Sequence, residues 1–362
     1  MRNGTTTIVG ANTQSYTITP ADVDCTIHVE VIIDSINFGS NEVEVWRKID
    51  DETDMISLPI PSVRLAANYI LTDHINLTSA WVPRYLDTGY TFDGNGKTIT
   101  FNAGIAGSSH FGLFTDNEGT IQNLRLASAS PLIYSIGSST NYTGAVAAVN
   151  QSTGIIKNVC STVSFNVTIT TSSSFNSIGG ITGSNSGIIE NCYVVADIKI
   201  TPQGTDPGYA GGIAGDQGVV TALISNCWAS GTVEVNSYDP NSCVGGIAGD
   251  FGMGQISNCV ALQGSLIQGT VLGFTNRIAV GVTGFLNNYA NSGMMFSSFS
   301  VLPFPAPSGT VTDEDGGDVT LPASDDWWKT SGVGWDTVGV WGGADEDHPW
   351  VWGSGRPKLW FE

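Results

Sequence analysis

The stretch 245–264, GGIAGDFGMGQISNCVALQG, restates 211–231, GGIAGDQGVVTALISNCWASG, with paired glycines at the head and Asn-Cys near the tail of each. Three earlier segments fit the same frame: FGLFTDNEGTIQNLRLAS from Phe111, TGAVAAVNQSTGIIKNVCST from Thr143 and IGGITGSNSGIIENCYVVAD from Ile178. A worn sixth copy starts at Val280 and lacks the Asn-Cys signature. The aligned asparagines Asn123, Asn158, Asn191, Asn226 and Asn258 stand 35, 33, 35 and 32 residues apart. Each follows an isoleucine by two positions (Ile121, Ile156, Ile189, Ile224, Ile256) and precedes a small or medium apolar residue (Leu124, Val159, Cys192, Cys227, Cys259). Short β-type runs broken by Gly, Ser, Asn and Asp, with no 3.6-residue period, exclude a helical repeat.

A unit of this kind cannot bury its apolar face alone, whereas a stack of units can. With one unit per coil, like residues lie about 4.8 Å apart along the axis. Isoleucine then stacks on isoleucine inside, and asparagine forms a ladder at a corner, where it tolerates the left-handed region. The paired glycines are expected where a side chain or a negative φ would obstruct a bend. The expected fold is all-β, a right-handed parallel β-helix. A β-propeller is the rival, but its blades run longer and often carry a Trp-Asp signature that these units lack.

Composition limits the function. The 362 residues include 45 glycines, and 33 acidic against 13 basic residues give a net charge of −20. Phosphate binding needs clustered Lys and Arg, so nucleic acid is not an expected partner. An anionic membrane surface is disfavoured for the same reason. No run approaches the roughly 20 apolar residues of a membrane span, so no membrane insertion is expected. The start, MRNGTTTIVGANTQSYTITP, has no apolar signal core, which fits either a cytoplasmic chain or, as expected here, a trimmed piece of a longer extracellular or cell-surface chain.

The units closely resemble the GLUG motif, a glycine-rich repeat of large bacterial surface proteins that also accompanies immunoglobulin-A-cleaving metalloproteases. The lead-in with FDGNGKTI at 92–99 and the Trp-rich end GWDTVGVWGGADEDHPWVWGSGRPKLWF look like parts of such proteins, so the resemblance covers roughly 63–361. Residues 5 to about 50 resemble the closing strands of a bacterial Ig-like module. The resemblance implies architecture rather than one activity. The expected organisation is a partial Ig-like β segment at 1–55, the repeat helix at 56–305, and an acidic linker with a Trp-rich cap at 306–362. Seven of the ten tryptophans fall in the final 36 residues, where they are expected to close the open end of the stack. A sugar-stacking platform is the alternative reading of those rings.

Motifs for chemistry are few. His28, His74, His110 and His348 stand singly, with no H-E-x-x-H, and no G-x-S-x-G occurs. Cys192, Cys227 and Cys259 share one column and read as small apolar filler rather than a thiol metal site or disulfides. Cys243 is expected to point inward in the column of Ile178 and Ala210. Asp216 and Asp250 both follow GGIAG, and on adjacent rungs their carboxylates would lie about 5 Å apart, repelling or sharing a calcium ion. Such a pair suits a glycosidase or a polysaccharide lyase. Yet Ser184 and Val149 occupy the same column, and exposed turn aspartate is the plainer expectation. Between residues 130 and 300 the only cations are Lys157, Lys199 and Arg277, too few for a polyanionic substrate. The insertions TPQGTDPGY (201–209) and NSYDPNS (236–242) would project to one side, which makes Tyr209, Trp228 and Tyr238 the candidate contact residues. The expected function is a non-catalytic adhesin-like stalk that binds a glycan or a host protein. Two alternatives are a β-helical carbohydrate-active enzyme working through Asp216 and Asp250, and a trimeric phage tail fibre.

Overall fold

In the computed structural model the described residues are 46–362, apart from short breaks at 61, 107–108, 138–139, 173–174, 253, 270–273, 282–283, 299–301 and 343–344. Four short strands between residues 26 and 44 are also described, pairing antiparallel as Thr26–Ile27 with Val43–Glu44 and Glu30–Ile33 with Ile36–Gly39. Cys25 lies outside the described residues.

The chain is a right-handed parallel β-helix of about six turns. One rung shows the plan. Phe175–Gly179 forms the first wall, Thr182–Asn185 the second, and Ile188–Glu190 and Tyr193–Val195 the two halves of the third, with Ile198–Thr201 as the fourth. The next rung repeats it at Tyr209–Gly211, Ala214–Gln217, Leu223–Ser225, Trp228–Ser230 and Thr232–Val235, each strand hydrogen-bonded in parallel to its counterpart. Parallel pairing begins earlier, where Arg47–Ile49 pairs with Tyr69–Leu71.

The ladders follow the repeat. Ile121, Ile156, Ile189, Ile224 and Ile256 are register partners and fully buried. Asn123, Asn158, Asn191, Asn226 and Asn258 turn the corner of the third wall at φ 53–54°. Amide bonds run along the axis on both sides of Asn191: Asn158 Nδ2 donates to Asn123 Oδ1 at 3.2 Å and Asn258 Nδ2 to Asn226 Oδ1 at 3.1 Å, while Asn158 Oδ1 and Asn191 Oδ1 accept no hydrogen bond among the described residues. The ladder is longer than the repeat suggested. Asn287, in the worn copy, has φ 55° and donates to Asn258 Oδ1 at 2.8 Å. Within the second wall lies a further, buried amide ladder, Asn117 to Asn150 to Asn185, at 2.8 Å per step.

Cys192, Cys227 and Cys259 fill the interior beside the asparagine corner, fully buried and free, each thiol donating to a backbone carbonyl two residues back. Of the two causes expected for the paired glycines, obstruction of a side chain holds and a need for positive φ does not. None of Gly179, Gly180, Gly211, Gly212, Gly245 and Gly246 has positive φ. At Gly212 a Cβ would collide with the Gly246 carbonyl oxygen of the next rung, so close approach of backbone requires glycine.

Two expectations about the ends are corrected. The acidic segment after residue 309 is not merely a linker but covers the last rung: Ile278 N–H donates to Glu314 O at 2.9 Å, and Gly317–Val319 pairs with Tyr289–Asn291. Buried Arg277 anchors it through Asp318 at 2.6 Å and Gly316 O at 2.8 Å. The Trp-rich segment forms a second core, but along the flank of the solenoid rather than over its end. It covers the outward column Cys160, Tyr193, Trp228 and Val260. It also spans many rungs, from Glu346 Oε1 on Asn123 Nδ2 at 2.8 Å to Trp335 Nε1 on Asn258 O at 3.0 Å. The reason lies in the outward face of the third wall: a column of Cys, Tyr, Trp and Val has to be removed from water.

Candidate functional site: a groove between two walls

The first and second walls meet at the glycine pairs so tightly that their outward side chains face one another. Ser177 Oγ donates to Gly183 O at 2.7 Å, and a Cβ at Gly183 would meet the Tyr142 Cβ at 2.9 Å. On the first wall the outward column reads His110, Tyr142, Ser177, Tyr209, Cys243. On the second it reads Asp116, Val149, Ser184, Asp216, Asp250.

Aromatic rings line the first wall in a row. Centroids lie 5.3 Å apart for His110 and Tyr142, 5.8 Å for Tyr142 and Phe175, and 4.8 Å for Phe175 and Tyr209, the last pair stacked. Opposite them, Ser184 Oγ donates to Asp216 Oδ2 at 3.0 Å. Asp216 is not an exposed turn residue, as expected from the sequence: it sits in the strand Ala214–Gln217 with 8% of its surface exposed. Burial pushes its carboxyl up to about 6, the Asp250 charge adds to this, and the Ser184 bond opposes it. Burial and then the nearby Asp250 and Asp216 charges push the Cys243 thiol up to about 12. Burial does the same to Tyr209, with contributions from Cys243, Asp250 and Asp239. His110 is held below its usual range by burial, which keeps it neutral, while Asp116 pulls the other way.

The structure places the candidate residues apart. Tyr209 lines the groove. Tyr238 projects from its insertion, 60% exposed. Trp228 is a correction: it is 1% exposed, stacked on Tyr193 at 4.5 Å and 2°, and lies under the C-terminal segment on another wall, where no ligand reaches its face. Cys243 is also corrected, since it partners Tyr209 in the outward column while Val244 takes the place beside Ala210. Sequence reading missed Tyr142, Phe175 and His110. They stand two to four residues before the first glycine of the repeat frame (Gly112, Gly144, Gly179), a position that carries the signal, but the insertions between copies blur the alignment there.

Two carboxylates and a hydroxyl can polarise a ligand or move a proton. A calcium ion takes six to eight oxygens, so one held by Asp216 and Asp250 would draw most of its shell from water. Among the described residues no three His, Cys, Asp or Glu side chains converge as a metal site.

No family model matches the chain, and no curated protein matches it in sequence. Among solved structures it is similar to the crystal structure of a Bacteroides ovatus protein that carries the provisional name immunoglobulin A1 protease. The TM-score is 0.65 and the identity 20%, over 88% of this chain and 93% of that one. That likeness shows the fold. A second structure, an IgA1 protease, is 14% identical with a TM-score of 0.46, over 75% of this chain and 24% of that one.

Proposed function

We propose that the chain is a rigid, non-catalytic recognition module of a secreted or surface bacterial protein, and that the groove between its first two walls binds a glycan. The row Tyr142–Phe175–Tyr209 facing Ser184, Asp216 and Asp250 carries this reading. Aromatic surface left uncovered by the ring-on-ring contacts receives the C–H groups of sugar rings, and carboxylates and hydroxyls accept or exchange hydrogen bonds with their hydroxyl groups. The parallel ladders hold those groups in place before the ligand arrives, which reduces the entropy lost on binding. The absence of a basic cluster on these walls favours a neutral glycan over a uronate polymer. A host protein is the other partner class, and the name of the Bacteroides ovatus neighbour makes immunoglobulin A1 a reasonable ligand to include.

A panel of neutral and acidic polysaccharides, with immunoglobulin A1 as a separate arm, tests the proposal by affinity electrophoresis or titration calorimetry. Retention by a neutral glycan that falls at least tenfold in Tyr209→Ala and Tyr142→Ala supports it. Binding unchanged in both variants removes the groove from consideration.

One observation favours a second reading, a carbohydrate-active enzyme. Asp216, raised to about 6, can hold a proton near neutral pH beside Asp250 on the next strand, an arrangement used by paired carboxylates in glycosidases. New reducing ends released by the wild type and lost in Asp216→Asn would establish it.

A further inference from the structure

On the flank, the C-terminal segment leaves a cleft of about 540 Å³ against the solenoid, sharing no residue with the groove. One side is a column from three rungs. Val195 and Ser230 are register partners, and Leu262 follows Ala261, the partner of Ala229. The other side is Leu321, Pro322, Ala323 and Trp328. Val195 and Leu321 stay 38% and 40% exposed, so the apolar surface continues to the mouth. The volume falls within the range of small-molecule sites.

Arg356 stands at this mouth, exposed, on the turn between the strands Trp350–Trp352 and Pro357–Leu359. Its guanidinium lies 5.3 Å from the Trp228 ring centre, and Nη1 donates to Ser230 Oγ at 3.1 Å. Those two contacts fix its direction and use one of five N–H donors. Arg125, Lys199, Arg277 and Lys329 each pair with a carboxylate. Among the described residues none pairs with Arg356, although the chain carries a net charge of −20.

An oriented guanidinium beside an apolar cleft selects a ligand with a carboxylate at one end and a hydrocarbon body. The planar fork matches two carboxylate oxygens. A peptide would leave its backbone N–H and C=O groups unpaired against Leu262, Pro322 and Trp328. We infer that this cleft binds a free medium-chain alkanoate, its carboxylate on Arg356 and its chain between Leu262, Leu321 and Trp328. Burial of the methylenes drives binding, and the guanidinium fixes the orientation.

Calorimetric titration of the full chain with decanoate and with decanol, both below micelle formation, tests this. Decanoate should bind one to one. Arg356→Gln should weaken it at least tenfold, and decanol should bind wild type no better than decanoate binds that variant. Nuclear Overhauser contacts from the decanoate chain to Trp328 and Leu321 in the unmutated protein locate the ligand without any substitution. Absence of decanoate binding, contacts elsewhere on the molecule, equal affinity for decanol, or an Arg356→Gln affinity unchanged in a folded variant would overturn the inference.

Discussion

Asp216 and Asp250 are register partners on adjacent parallel strands, and Asp216 alone also takes the Ser184 hydroxyl, at 3.0 Å. Two carboxylates a strand spacing apart therefore sit in unequal surroundings, one buried and one less so.

That inequality has a pH consequence. The folded protein holds the Asp216 proton more tightly than the unfolded chain, because the carboxyl is raised from 3.8 to about 6. Asp216 accordingly subtracts stability as pH rises from about 4 to about 6, by about 3 kcal/mol once the window is passed. Asp216→Asn keeps an acceptor for Ser184 and removes the buried charge. Urea unfolding should show the variant more stable than wild type at pH 7.5, with the gap closing toward pH 4. A variant less stable at pH 7.5 would refute the assignment.

The asparagine corner makes a second prediction. Asn258 has φ 54°, donates to Asn226 and accepts from Asn287. Alanine there meets the left-handed penalty of about 1–2 kcal/mol and loses ladder bonds worth about 1 kcal/mol each. Glycine loses only the bonds. Chemical denaturation should rank wild type above Asn258→Gly above Asn258→Ala.

Thiol labelling tests the interior column. Burial raises the thiols of Cys227 and Cys259 well above their usual range, which withholds the reactive thiolate. Peptide mapping after native maleimide treatment at pH 8 should find Cys192, Cys227 and Cys259 unmodified, and all three labelled after denaturation. Native labelling of any of them would mean that the column opens.

Gly246 separates close packing from turn conformation. A Cβ there would strike the Arg277 carbonyl oxygen, which already accepts the Gly246 N–H at 3.1 Å. Gly246→Ala should cost at least about 3 kcal/mol or abolish folding, as overpacking against backbone does. Gly264→Ala, where a Cβ meets nothing within 4 Å, should change the unfolding midpoint little.

The repeat itself determined most of the solenoid. Ile and Asn at a constant offset dictate columns once units stack, because parallel strands place equivalent residues side by side. Thus the isoleucine core, the asparagine corner and the Cys192–Cys227–Cys259 filler were all legible from spacing. What spacing left open is decided by contacts between residues far apart in the chain. Asn287 joins the ladder although its neighbours lost the signature, because the hydrogen bond it donates to Asn258 on the preceding rung requires only the amide and the left-handed turn. The Trp-rich segment lies along the flank because the outward Tyr193 and Trp228 need covering, and nothing local to residues 327–360 says where that surface is. The burial of Asp216 and the row from Tyr142 to Tyr209 likewise depend on how closely two walls fold together. A one-dimensional pattern gives the direction in which a side chain leaves its strand, while the distance to what it faces exists only in three dimensions.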